Sequence, residues 1–294
     1  MRSLSVLIAA VMLMPVFVLG QEAGNRAYGT ARRKPMINSG VLSAPAPDGK
    51  STVYFVEANV LMNVKPDSYV AVLGVVQEAP TAVESNAKTD AAISQFVGDI
   101  DRLGIRRGDT FVDFITQNKV YDYVTNGSTT TEKFSGFETK KNVEVRYRDR
   151  DLLEKILAAA SKAAIYDLIE VDYTVGDIKS VHTRLYDEAV KSIKQKQASY
   201  ENSFGVKMSP TNLANEKYDS FYPAELYSNY QAYEAGNTYG DYNNRVIQAR
   251  KTRTFFYAPV NASDFDAVID PIGIEPMVQF TLYLKMQYEP AARR

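Results

Sequence analysis

The chain predicts an α+β fold: an antiparallel β-sheet with helices packed on one face, built from repeated β-β-α units. Segments with an apolar residue at every second position alternate along it with segments whose apolar residues recur every three or four. Their order is two strands, helix, two strands, helix, strand, helix, an irregular stretch and a closing strand. Composition agrees, because 45% hydrophobic and 23% charged residues describe an ordinary globular protein and exclude a disordered chain or a coiled coil.

Order begins near Thr52. Val56, Ala58, Val60, Met62 and Val64 alternate with Glu57, Asn59 and Asn63, which predicts a strand with one polar face. Lys65-Pro66-Asp67-Ser68 is turn chemistry. The apolar run from Tyr69 to Val76 then predicts a strand covered on both sides, forming a hairpin with the first. Thr81-Ala82-Val83-Glu84 is a capping box, followed by Ile93, Phe96, Val97, Ile100 and Leu103 at helical spacing, and Gly104 closes the helix.

A third strand is expected over Phe111–Tyr123, a loop around Gly127, and a fourth strand from Phe137 to Tyr147. Asp151 with Glu154 predicts the start of a second helix striped by Leu152, Leu153, Ile156, Leu157 and Ala160. A strand over Tyr166–Val175 follows, then a third helix through Tyr186, Ala189, Val190, Ile193, Tyr200 and Phe204 to Gly205. The strictest alternation is the last, Val278 to Tyr288. Recurrence of strand-strand-helix makes both halves look like one unit used twice.

Ahead of this core, Arg2 precedes an apolar stretch from Leu4 to Leu19 that ends at the small residue Gly20. This reads as a secretory signal peptide over residues 1–20, too short for the ~20 apolar residues of a membrane span. Residues 21–51, rich in Gly and Pro, read as a flexible leader whose Arg32-Arg33-Lys34 cluster is a solvated tail. No transmembrane span is expected after cleavage, and the expected location is the periplasm or cell envelope.

The chain excludes much chemistry. It has no Cys, one His and a net charge of -1, which removes disulfides, thiolate sites and a bulk positive field for nucleic acid. His182, at the start of the third helix, has no second imidazole to share a metal. The carboxylate pairs Asp99 with Asp101 and Asp149 with Asp151 sit at helix ends, where Asp is ordinary. No nucleophile elbow, P-loop or dinucleotide fingerprint is present. No catalytic residue, metal site or cofactor is expected, so the protein reads as a non-enzyme.

Several local signatures, in order, resemble the SIMPL domain family, which includes the periplasmic immunogenic proteins of bacteria. They are Val60-Leu61-Met62-Asn63-Val64-Lys65-Pro66-Asp67, Leu103-Gly104-Ile105-Arg106-Arg107-Gly108-Asp109 and Phe134-Ser135-Gly136-Phe137. Val143-Glu144-Val145-Arg146-Tyr147-Arg148-Asp149, Tyr186-Asp187-Glu188-Ala189 and Pro271-Ile272-Gly273-Ile274-Glu275-Pro276 continue the series. The resemblance places a SIMPL domain over 52–210 plus 270–289, with 211–269 as a Tyr-rich insertion or long connection. It implies an exported envelope protein that is non-enzymatic and self-associating, and it carries over no catalytic residues. Gln195, Gln197, Tyr200 and Asn202 depart from the alanine- and lysine-rich last helix usual in the family.

The long connection departs furthest. Tyr218, Tyr222, Tyr227, Tyr230, Tyr233, Tyr239 and Tyr242 concentrate seven of the 20 tyrosines there, and Tyr suits interfaces and sugar faces. These seven are the expected binding residues, either as an interface or as a loop folded back over the sheet. The expectation is a homo-oligomer, or a binder of envelope proteins, joined through exposed strand edges and the Tyr-rich segment. A glycan or small-ligand binding module is the alternative, and a carboxylate-dependent hydrolase a more distant one.

Overall fold

The computed structural model describes residues 43–45, 52–230, 254–271 and 274–291. Its strands are β1 (Ser43–Pro45), β2 (Thr52–Val64), β3 (Ser68–Ala79), β4 (Thr110–Asn126), β5 (Thr129–Tyr147), β6 (Asp167–Thr174), β7 (Met208–Phe221), β8 (Tyr227–Tyr230), β9 (Thr254–Tyr257), β10 (Ala267–Ile269) and β11 (Val278–Pro290). Its α-helices are α1 (Ala82–Asp101), α2 (Leu152–Lys162), α3 (Ile178–Phe204) and the single turn α4 (Pro223–Leu226). The fold is α+β with sheets that are mainly antiparallel, as the alternating pattern predicted.

The strands divide into two larger sheets and a small hairpin. One sheet runs β4-β5-β3-β6; the other runs β1-β2-β11-β7, with β10 also on β2; β8 pairs β9. In the first sheet Ala71, Leu73, Val75, Val143 and Val145 face Ile93, Phe96 and Ile100 of α1 and Ile156 and Ala160 of α2. In the second, Val56, Ala58, Val60, Met62, Phe280, Leu282 and Leu284 pack on Val181, Leu185, Ala189 and Ile193 of α3. Tyr173 on β6 touches both cores.

The expected hairpin of the first two strands does not form. Both edges of β3 are already paired, by β5 and by β6, while β2 pairs β11 from Val64↔Val278 to Tyr54↔Tyr288. With no edge of β3 free, the Lys65–Asp67 turn passes the chain from one sheet to the other. It is anchored by the Asp67 N–H donating to Thr174 O at 2.8 Å, and by the Asp67 carboxylate accepting from Gly176 N at 2.7 Å. The two β-β-α runs therefore share an order but not a pairing, since β4 and β5 do form a hairpin.

Helix starts illustrate local chemistry winning or losing. At α1 the capping box is complete, with the Thr81 hydroxyl accepting from Glu84 N and the Glu84 carboxylate accepting from Thr81 N. At α2 the expected Asp151 cap is absent, because Asp151 is itself in helical geometry. The preceding turn is closed by Asp149 instead, whose Oδ1 accepts from Asp151 N at 3.0 Å. Helix α3 ends as expected at Gly205, whose φ of 69° suits a residue without Cβ.

The connection between α3 and the closing strand is more structured than an irregular stretch. β7 pairs β11 along nearly its whole length, with two register shifts that bend the edge. The segment around β9 and the following turn lies over the polar faces of β2 and β11. Gln279 is fully buried there, donating to Asn63 Oδ1 at 2.8 Å and accepting from Val260 N at 2.7 Å. The polar face of β2 is thus covered: Asn59 and Asn63 are both buried. Asp266 fastens the edge, accepting from Asn59 N at 2.8 Å and from Lys196 Nζ at 2.6 Å. Arg184 reaches Asp270 at 2.8 Å in the same way.

Candidate functional site

Two surfaces qualify: the Tyr-rich segment expected from sequence, and an arm formed by the far end of the β4–β5 hairpin.

The described tyrosines of the first do not form one patch. Tyr218 lies on β7 and stacks on the His182 ring at 4.3 Å between centroids, which gives the lone imidazole an aromatic neighbour. Burial, and then the Glu216 charge and hydrogen bond, push the Tyr218 hydroxyl above its usual range. Tyr222 precedes α4 and packs against the β2–β11 core. Tyr227 on β8 is paired with Tyr257 on β9, ring to ring at 5.9 Å, and Tyr257 donates to Met277 O at 3.1 Å. Tyr230 ends β8. Tyr233, Tyr239 and Tyr242 lie outside the described residues, as does the expected signal peptide at 1–20.

The arm was hidden in the sequence reading as a short strand and a loop. β4 and β5 extend to a two-residue turn at Gly127 and Ser128, with Gly127 at φ 63°. The Asn126-Gly127 dipeptide between two alternating runs was the available signal. From Gln117 to Ser135 every residue is exposed except half-buried Val120. That is about nine residues per strand, or roughly 30 Å at ~3.3 Å per residue.

Gln117 ties the base of the arm to the body by donating to Ala82 O at 3.2 Å, and beyond that the arm is supported by contacts within the ribbon. Phe134 meets Tyr121 at 5.9 Å and Phe137 at 5.4 Å, both edge to face. Tyr123 donates to Glu132 at 3.0 Å, a bond that with the carboxylate's charge raises its pKa, and Thr125 meets Thr130 at 3.1 Å. Despite these pairs the arm leaves much apolar area in water: Tyr123 is 72% exposed, and Tyr121, Val124 and Phe134 are also open. Nearer the body the same edge strand exposes Phe111, Phe114 and Ile115. Among the described residues β4 has no neighbour on its outer edge.

Among the described residues no three His, Asp or Glu side chains converge as metal ligands. Asp99 is engaged by Arg102 at 2.8 Å and Asp149 by the α2 turn, so neither expected carboxylate pair forms a free dyad. The resolved titration shifts run away from neutrality: burial pushes Tyr69, Tyr147 and Tyr173 upward, while Glu201 is lowered to about 2 by the Met208 N–H, Lys207 and Gln197. No described helix is long and apolar enough to cross a membrane.

Comparison with known proteins agrees with the resemblance. Residues 56–252 match the family described as SIMPL, protein of unknown function (DUF541). This span includes part of the long connection and stops short of β11, the central strand of its sheet. A relative from Edwardsiella ictaluri (strain 93-146), called uncharacterized protein YggE, is 22% identical over 197 residues, covering 67% of this chain and 80% of the relative. With the match spanning well over half its length, the chain belongs to the SIMPL family.

Proposed function

We propose that this is an exported, non-catalytic envelope protein that acts by self-association or by binding other envelope components, through exposed strand edges. The β4–β5 arm is the observation that carries the reading. A two-stranded hairpin is marginal in water by itself, and one that holds open apolar side chains on an unpaired edge is suited to docking against another chain. Export is proposed on the short basic start and apolar stretch at the N-terminus. The Tyr-rich segment is proposed as a second contact, since Tyr227 and Tyr230 sit on a small hairpin of their own.

Light scattering after size exclusion on the full-length protein tests this. A discrete multiple of the monomer mass is expected. The triple variant Tyr121→Ser, Tyr123→Ser, Phe134→Ser should lower that mass without lowering the melting temperature, because these side chains touch no core. The variant Tyr227→Ser, Tyr230→Ser, Tyr233→Ser probes the second contact in the same way. A wild-type monomer that also captures no envelope component would refute the reading. Unchanged mass in the arm variant would move the contact elsewhere.

A further inference from the structure

At the end of the β4–β5 ribbon opposite to the arm, the loop after α1 meets the turn between β5 and α2 around a cleft of about 380 Å³. Its walls are two of the segments that carry the family resemblance, Leu103–Asp109 and Val143–Asp149, more than 30 residues apart in sequence. Three arginines are among its lining residues, Arg106, Arg146 and Arg148, with half-buried Leu152 and with Ile105 and Tyr147, both buried in the core.

The three arginines are not equivalent. Arg146 is held by Asp109, one of whose oxygens, Oδ1, takes both its Nε at 3.0 Å and its Nη2 at 2.7 Å. A guanidinium carries five N–H donors, so this fixes the fork and leaves others to donate. Arg106 and Arg148 make no ion pair among the described residues, and Arg107 and Arg150 flank the cleft in the same condition. The second lining carboxylate, Asp149, is occupied in closing the α2 turn. The α2 N-terminus is likewise satisfied, with Leu152 N donating to Asp149 O and Leu153 N to Arg150 O. Recognition here would come from arginine side chains, and the planar fork of Arg suits tetrahedral and planar oxyanions that accept two bonds at once.

We propose that this cleft binds a phosphate-bearing ligand, its phosphoryl group held by Arg106, Arg146 and Arg148 and its organic part resting on Leu152. Asp109 is a positioning residue that aims Arg146. The site stands apart from the assembly reading and survives if that reading fails, because none of its residues belongs to the arm.

Two probes distinguish the sources of such a group. Glycerol 1-phosphate is titrated into the full-length protein by calorimetry at low ionic strength, and the protein is floated with vesicles of phosphatidylglycerol against vesicles of phosphatidylcholine. Saturable binding to the free phosphomonoester is expected, weakened about tenfold or more in Arg106→Gln, Arg148→Gln, consistent with loss of charge-assisted hydrogen bonds. The variant Arg148→Lys, keeping charge but not the fork, should recover part of the loss. Arginine-dependent binding to phosphatidylglycerol vesicles without binding to the free ester would assign the site to a lipid headgroup. These arginines are exposed, so an unchanged melting curve will show that the variants fold. Binding to neither probe, or equal binding by wild type and double variant, would overturn the proposal.

Discussion

The β4–β5 ribbon has two unlike ends. At its root Val143 and Val145 are fully buried beneath α1 and α2. At its tip the same hydrogen-bonded ladder carries Tyr123 and Val124, both exposed, with no described element packed on either face. One ladder therefore draws stability from different sources along its length: apolar burial at the root, and backbone pairing with a few cross-strand contacts at the tip. Apolar burial stabilises the covered end, and the docking contact proposed above lies at the uncovered one.

The largest expected effect tests that contrast directly. Phe96→Ala removes a fully buried ring from the root and should cost about 3–5 kcal/mol in chemical denaturation, against less than about 0.5 kcal/mol for Tyr123→Ala at the tip. Equal losses would mean that the arm is part of the core. Gly136 marks the border between the two regions. A Cβ there would stand 2.5 Å from Ala79 O, so Gly136→Ala should cost about 1–3 kcal/mol and disturb the base of the arm.

In the second sheet the contrast recurs between Gln279 and Glu201. Truncating buried Gln279 to Ala strands Asn63 Oδ1 and Val260 N, an expected loss of about 1–3 kcal/mol. Glu201, near the end of α3, is half-buried, and its effect should be small and pH-dependent. Its carboxyl is lowered from 4.5 to about 2, chiefly by the Met208 N–H. A depressed folded-state pKa gives stability that is present above the unfolded value and lost as pH falls from 4.5 through about 2. The melting-temperature difference between wild type and Glu201→Gln should therefore be present at about pH 6 and shrink across that acidic window. A difference that stayed constant on acidification would remove the Met208 and Lys207 contacts as its cause.

Elements with their own local signal were legible. The Thr81–Glu84 box, the Gly205 stop and the strict alternation of β11 each appear where expected, because propensity, capping and burial agree there. β7 was missed for a physical reason. Met208–Phe221 contains Pro210 and mostly exposed polar residues, and between its buried ends, Met208 and Phe221, it is held mainly by backbone bonds to β11, so it shows no alternating apolar face. An edge position also tolerates its proline. The candidate site suffered likewise: seven tyrosines are conspicuous in a sequence, whereas the arm is conspicuous only once it is seen that no described helix covers it.

By itself, the amino-acid sequence determined the fold class, the helices, most strand positions and the family resemblance, because these rest on periodicities and caps that act over a few residues. Tertiary structure alone decided that β2 leaves β3 for β11, that the polar faces of β2 and β11 are buried under the connection, that no described element covers the arm, and that two distant segments bring three arginines to one cleft. Each of those depends on which edge or face is left over after the other elements have paired, a competition among distant parts of the chain that no local pattern records.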